Sequence, residues 1–263
     1  MQPYTKDYYE LIRQGSLRSA QVIVPLMLRL VPAKSVVDIG CGDGTWLSIF
    51  AKSGVTDIFG LDGEYVGDDF LQIPKDRFRA ADLKQPFTLE RSFDVAVSLE
   101  VAEHLPTASS ASFVESLTRL APMVMFSAAL PFQGGNHHIN EQWPSFWTGL
   151  FGKHGYVPID YFRKYVWENE AVDWWYAQNI LLFARAELVE ARPELKREFE
   201  LTNQRQLALI HPRNFLEVVE PVRPVGVDVF GALRLLGLVI RNAAWRRIHR
   251  VLKKREGYPR AGL

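Results

Sequence analysis

The chain reads as an α/β protein built on an open, mostly parallel sheet wound with helices, and three observations predict this. Residues 35–43, SVVDIGCGD, run from an apolar β-branched stretch into glycines at 40, 42 and 44 and re-emerge at helical spacing with Leu47, Phe50 and Ala51. That is the pattern of a buried strand, a tight turn and a helix start. Short apolar runs then alternate with helical stretches as far as residue 129, which favours parallel strands joined by right-handed crossovers. The last two apolar runs, 157–162 and 180–184, have no helix of convincing length between them and are expected to pair antiparallel.

A chain of 263 residues suits one α/β domain plus an appendage, or two small domains. The expected division is 1–187 for the domain, including an N-terminal helix over its ligand crevice, and 188–263 for a helical C-terminal extension. An apolar content of 48% with 23% charged residues gives an ample core. A net charge of +1 argues against a polyanionic partner such as nucleic acid. Cys41 is the single cysteine, which excludes an intrachain disulfide and suits a reducing, cytoplasmic setting. Inside a tight glycine loop it reads as a small residue that fits. The N-terminus shows no secretory pattern, no apolar run is long enough to span a bilayer, and no internal repeat is visible.

Residues 6–31 carry helical spacing, with an expected break near Gly15-Ser16 and a stop at Pro32. Tyr8, Tyr9, Arg18 and Ser19 are placed either to touch a ligand beneath or as ordinary helix surface. A second strand, 57–61, ends at Asp62-Gly63, with Asp62 standing 24 residues after Asp38. At that offset from a glycine loop an acid reaches a ribose diol, and a carboxylate can accept from both hydroxyls. A third strand, 77–80, leads into Asp82-Leu83, where the acid can accept from an adenine amino group and the Leu83 N–H can meet a ring nitrogen. A fourth, 93–99, ends at Leu99 and runs into Glu100-Val101-Ala102-Glu103-His104. Helices are expected over 109–120 and 143–151, with a fifth strand at 123–129 followed by a polar loop holding His137 and His138.

The third glycine of the loop falls at 44, one residue short of the dinucleotide spacing, and Asp38 sits poorly beside a pyrophosphate but well beside an amine or positive charge. D-x-G-x-G-x-G at the first turn, LDG at the second, ADL at the third and FDVAVSLEVAEHLP at the fourth together resemble class I S-adenosylmethionine (SAM) dependent methyltransferases over residues ~16–186. The resemblance implies a Rossmann-like seven-stranded, mostly parallel sheet with an antiparallel last strand. It also implies SAM-binding roles for Asp38, Gly40, Gly42, Asp62, Asp82, Leu83 and the backbone around Leu99, with S-adenosylhomocysteine (SAH) as product. Residues 137–179 further look like a bacterial branch associated with glycan or natural-product biosynthesis.

SAM carries its methyl already activated, so the protein mainly aligns a nucleophile and excludes water. A hydroxyl acceptor also needs a positioned base titrating near neutrality. His138 is the leading candidate, with His104 and His137 beside it; the structural alternative for each is a loop-fixing hydrogen bond. Spacing also places Glu100, Glu103 and His104 on one helical face. With His138 they are similar to the divalent-metal set of plant small-RNA 3′-end 2′-O-methyltransferases, where the metal polarises the substrate hydroxyl. The same E-x-x-E-H stretch occurs in methyltransferases without metal.

In the extension, a charged helix is expected over 193–210. Residues 229–255 then combine an apolar stripe (Val229, Leu233, Leu236, Ile240, Trp245, Ile248, Leu252) with a basic end. Such a helix can lie on an anionic membrane surface, or dock on its own domain or on a second subunit of a homodimer. The expected function is methyl transfer to a hydroxyl of a bacterial glycan or secondary metabolite. The alternatives are a metal-assisted 2′-O-methyltransferase acting on RNA, and a non-catalytic subunit of the same fold that docks to a partner or membrane.

Overall fold

A computed structural model of the chain describes residues 6–219. Seven strands form one sheet: β1 (Ser35–Ile39), β2 (Asp57–Asp62), β3 (Phe78–Ala80), β4 (Val95–Leu99), β5 (Met123–Ser127), β6 (Tyr156–Ile159) and β7 (Leu181–Arg185), in the order β3-β2-β1-β4-β5-β7-β6. β7 runs antiparallel to both neighbours and every other pairing is parallel. The central strands β4 and β5 are buried throughout, as expected where helices cover both faces of a parallel sheet.

The core lies in two layers, one on each face of the sheet. One packs α1 (Lys6–Leu30) and α2 (Thr45–Lys52), through Ile23, Met27, Leu47 and Phe50, onto Val36, Val95 and Met125. The other packs α3 (Ser110–Leu120) and α4 (Pro144–Gly152), through Phe113, Leu117, Trp147 and Phe151, onto Val37, Phe126 and Phe183. Short helices α5 (Arg163–Val166) and α6 (Trp174–Asn179) join β6 to β7, and α7 (Ala186–Ala191), α8 (Pro193–Leu201) and α9 (Pro212–Val219) follow.

Three expectations change. α1 is continuous through Gly15-Ser16, because Gly15 is there for close packing: a Cβ on it would lie 2.0 Å from Asp173 Oδ2. The helix expected over 193–210 stops at Leu201, where Thr202 turns extended and its hydroxyl both donates to the Glu198 carbonyl and accepts the Asp160 N–H. The chain then crosses back to bury Leu207 and His211. The first compact unit runs Met1–Leu216, so it takes in 188–216, which the sequence assigned to the extension; Glu217–Leu263 form the second unit. The stripe and basic end at 229–255 lie outside the described residues. Among the described residues no helix is long and apolar enough to cross a membrane.

Phe151 is fully buried and stacks on Phe183 with centroids 4.0 Å apart and planes 13° apart. Phe151→Ala is expected to cost about 3–5 kcal/mol, read as a lowered urea midpoint at unchanged slope.

Candidate active site

The sheet order reverses between β1 and β4, which opens a crevice at their carboxyl ends. The loop after β1 holds Gly40, Gly42 and Gly44 at φ of 82°, 55° and 80°. The N–H groups of Gly40 and Cys41 donate to the Leu61 carbonyl, and that of Gly42 donates to Asp62 Oδ2 at 2.7 Å. Asp62 Oδ1 accepts from the Gly63 N–H at 2.6 Å and from the Tyr65 hydroxyl. Asp43 accepts from both the backbone N–H and the hydroxyl of Thr45, tying down the first residue of α2. Asp38 is 3% exposed and accepts no hydrogen bond among the described residues. Burial, then the neighbouring Asp62, push its carboxyl well above the usual range. Burial also raises Asp62, against three donors that lower it. Cys41 packs its sulfur over Gly60, and burial followed by the charges of Asp38 and Asp62 keeps it a thiol. Asp82 is exposed and accepts the Lys84 N–H of its own turn, while Leu83 is buried.

The second wall of the crevice comes from the loops after β4 and β5. Glu100 adopts φ 56° and its N–H donates to the carbonyl and the hydroxyl of Ser127, both at 3.1 Å. The following turn, 102–104, is a short 3-10 segment, so Glu100 does not share a helical face with Glu103 and His104. The Glu100 carboxylate accepts from Asn179 Nδ2 at 3.1 Å and Gln133 Nε2 at 3.2 Å. Glu103 is fully buried: Oε1 accepts the Ala129 N–H at 3.3 Å and Oε2 has no partner among the described residues. Burial, then Glu100, push the Glu103 carboxyl well up. Its backbone carbonyl accepts from Ile139 and Asn140, anchoring the loop that carries the histidines.

His138 Nδ1 lies 3.1 Å from Glu141 Oε1, and its side chain is 12% exposed. Glu141 also accepts from the N–H groups of Phe132 and Gly134. The His138 ring packs directly on Gly135, where a Cβ would lie 2.3 Å from Nε2. The His104 ring meets His138 edge-on, centroids 4.9 Å apart. Burial first, then the proximity of His138, bring His104 down to about 4 and hold it neutral, and its Nδ1 is buried without a partner. His137 has φ 59° and is exposed. Glu103, His104 and His138 each bring one ligand atom within 4.8 Å of the others, whereas Glu100 stays outside that group.

A family model described as a methyltransferase domain matches residues 11–179. The chain belongs to the class I SAM-dependent methyltransferases. No match is found among curated proteins. Solved structures share the fold. The sugar N-methyltransferase KedS8 from a Streptoalloteichus species is 15% identical, with 69% of this chain and 93% of that one covered at a TM-score of 0.54. Magnesium protoporphyrin IX methyltransferase from Synechocystis, with SAH bound, is 19% identical over 70% and 89%, at 0.52. Streptomyces venezuelae DesVI is 20% identical over 68% and 98%, at 0.50.

The crevice suits SAM as cofactor: a bare glycine backbone lines it, and the buried Asp38 carboxylate accepts no hydrogen bond among the described residues. In this methyltransferase, Tyr65, Glu141, Gln133 and Asn179 are polar residues of the site that sequence reasoning missed. The only sequence signal for Glu141 was its place three residues after His138 in a polar loop.

A Cβ on Gly40 would lie 2.3 Å from Val101 Cγ2, in addition to the cost of φ +82°. Gly54, at φ +98°, has nothing within 4 Å of such a Cβ. Gly40→Ala is expected to lose about 2–4 kcal/mol in urea unfolding and Gly54→Ala about 1, the difference isolating the packing of the loop on Val101.

Proposed function

We propose that this methyltransferase transfers the methyl of SAM to a hydroxyl of a small-molecule or glycan acceptor, with His138 as general base. The carrying observation is the His138–Glu141 pair at 3.1 Å. An ionised carboxylate only accepts, so the proton sits on His138 Nδ1 and leaves the Nε2 lone pair to take the acceptor's proton. Neutral His104 against the ring adds no positive charge that would oppose protonation of His138. The related solved structures named for sugar and porphyrin methylation support a small-molecule acceptor.

On this reading Asp38 faces the amino end of SAM across the backbone of Gly40 and Gly42. Asp62 and Gly63 receive the ribose, Asp82 and Leu83 the adenine, and the backbone at Leu99 borders the reacting end. SAM supplies an electrophilic methyl on a sulfonium. The chain's own work is to hold the acceptor in line from the Glu100–Gln133 side, keep water out and accept one proton at His138 Nε2. A small hollow walled by Leu130, Trp147 and Asn179 adjoins that side.

A second reading rests on one observation. Glu103 Oε2 and His104 Nδ1 are both buried without partners and belong to the three-residue group with His138. Such a mixed oxygen and nitrogen set suits a divalent cation, with Glu141 orienting His138 from behind. Turnover unchanged by EDTA rejects it; turnover lost to EDTA and restored by Mg²⁺ or Mn²⁺ replaces the base reading of His138.

Two outcomes test the main reading. His138→Ala is expected to leave SAH affinity within about twofold and lower kcat by about 10²–10⁴-fold on a hydroxyl acceptor; unchanged kcat removes His138 from the chemistry. For the cofactor side, a bound ammonium beside Asp38 brings its raised pKa back down, so binding releases a proton at acid pH. SAH affinity is therefore full above the free-enzyme pKa of Asp38 and is lost as pH falls through it. Calorimetric titration between pH 5 and 8 should show that loss above the ordinary aspartate range, and Asp38→Asn should bind weakly without it.

A further inference from the structure

A chain of buried side-chain amides runs from residues 211–214 to the acceptor side of the crevice, and its donor direction is fixed throughout. Gln178 is fully buried, and its Oε1 accepts from the His211 backbone N–H at 2.8 Å and from Asn214 Nδ2 at 2.9 Å. A backbone N–H cannot be reversed, so Gln178 Nε2 must face the other way, toward Gln133 Oε1 at 3.0 Å and Asn179 Oδ1 at 2.9 Å. Asn179 Nδ2 then donates to Glu100 Oε1 and Gln133 Oε1, and Gln133 Nε2 donates to Glu100 Oε2. The Leu130 N–H adds a second fixed donor on Gln133 Oε1. Arg163, buried, clamps the Gln178 carbonyl with two donors at 2.9 and 2.6 Å, which holds the end of α6 in place.

We propose that Gln178 is a positioning residue for methyl transfer: it sets the direction of Asn179 and Gln133 so that both Glu100 oxygens are held as acceptors toward the acceptor molecule, and residues 211–214 set Gln178 in turn. The inference rests on reading the Glu100–Gln133 side as the acceptor site. It makes the chain as far as Asn214 part of the catalytic unit, beyond the span 11–179 that the family model covers. Removing the Gln178 amide leaves the His211 N–H without its acceptor and frees Gln133 and Asn179 to turn, so that Glu100 loses fixed donors. None of this touches the glycine loop, Asp38 or Asp62.

The test uses the full chain with asparagine and glutamine side chains labelled with ¹⁵N. In the wild type the NH₂ groups of Gln133 and Asn179 should exchange slowly. In Gln178→Met, close in shape but without the amide, both are expected to exchange at least tenfold faster, with Asn214→Leu giving an intermediate change because the His211 N–H still holds Gln178. SAH affinity should stay within twofold, while kcat for a hydroxyl acceptor falls at least tenfold at unchanged KM for SAM. Where Gln178→Met fails to fold, Asn214→Leu carries the test alone. Unaltered exchange overturns the network. Faster exchange with full turnover overturns the positioning role, and a parallel loss of SAH affinity shows a merely structural one. A wild type that methylates no hydroxyl acceptor counts against the proposed function, while amide exchange still decides the network.

Discussion

Three buried carboxyl groups, Asp38, Asp62 and Glu103, and the partly buried Glu100 lie at the carboxyl ends of β1, β2 and β4, with no lysine or arginine among their hydrogen-bond partners in the described residues. Burying an ionised carboxylate without a counter-charge is costly, and the protein answers differently at each. Asp62 is satisfied by three donors from its own turn and the glycine loop. Glu100 is satisfied by neutral amides. Among the described residues Asp38 accepts no hydrogen bond and Glu103 Oε2 has no partner. All four are pushed upward by burial. The crevice is thus a region of stored electrostatic cost on a scaffold whose stability comes from the two apolar layers.

The scaffold was legible because it depends on backbone and period. An apolar strand, three glycines and a helical period describe one physical object, a strand turning tightly into a helix, and the positive φ at 40, 42 and 44 is what those glycines are for. Most strands were readable to within one or two residues, since β-branched runs buried on both faces leave little choice, while β6 ends three residues before the expected 162. The antiparallel placement of β7 followed from the lack of a long helix between the last two strands, where α5 and α6 are too small to make a crossover. Gly15 misled for an instructive reason. A glycine breaks a helix by default, but its lack of a Cβ also lets another side chain approach, and only tertiary structure says which use applies.

The acceptor side was legible as a set of residues and not as a geometry. E-x-x-E-H reads as a helical face only if residue 100 is helical, and Glu100 instead takes a left-handed conformation, with its N–H given to Ser127 of β5. That single dihedral sends Glu100 toward α6 and leaves Glu103 and His104 facing His138. Glu141 was hidden for a similar reason. Its role depends on the loop folding back so that one carboxylate takes the N–H groups of Phe132 and Gly134 together with His138, and no periodicity encodes such a return.

The use of amides between α6 and Glu100 follows from the same electrostatics. An arginine or lysine in place of Gln178 would place a charge beside Glu100, and its own desolvation would offset the gain. A chain of amides supplies donors without a charge. It also carries direction, because each amide has one accepting and one donating end and the backbone N–H groups of His211 and Leu130 fix both termini. The six residues of α6 hold two sides together. Asp173, just before it, accepts a salt bridge from Arg18 and Tyr176 shares a hydrogen bond with Ser16, both on α1, while Gln178 and Asn179 hold Glu100 and Gln133. A helix too short to stand alone is thereby fixed from both ends, and α1 and the loop carrying Gln133 share one support.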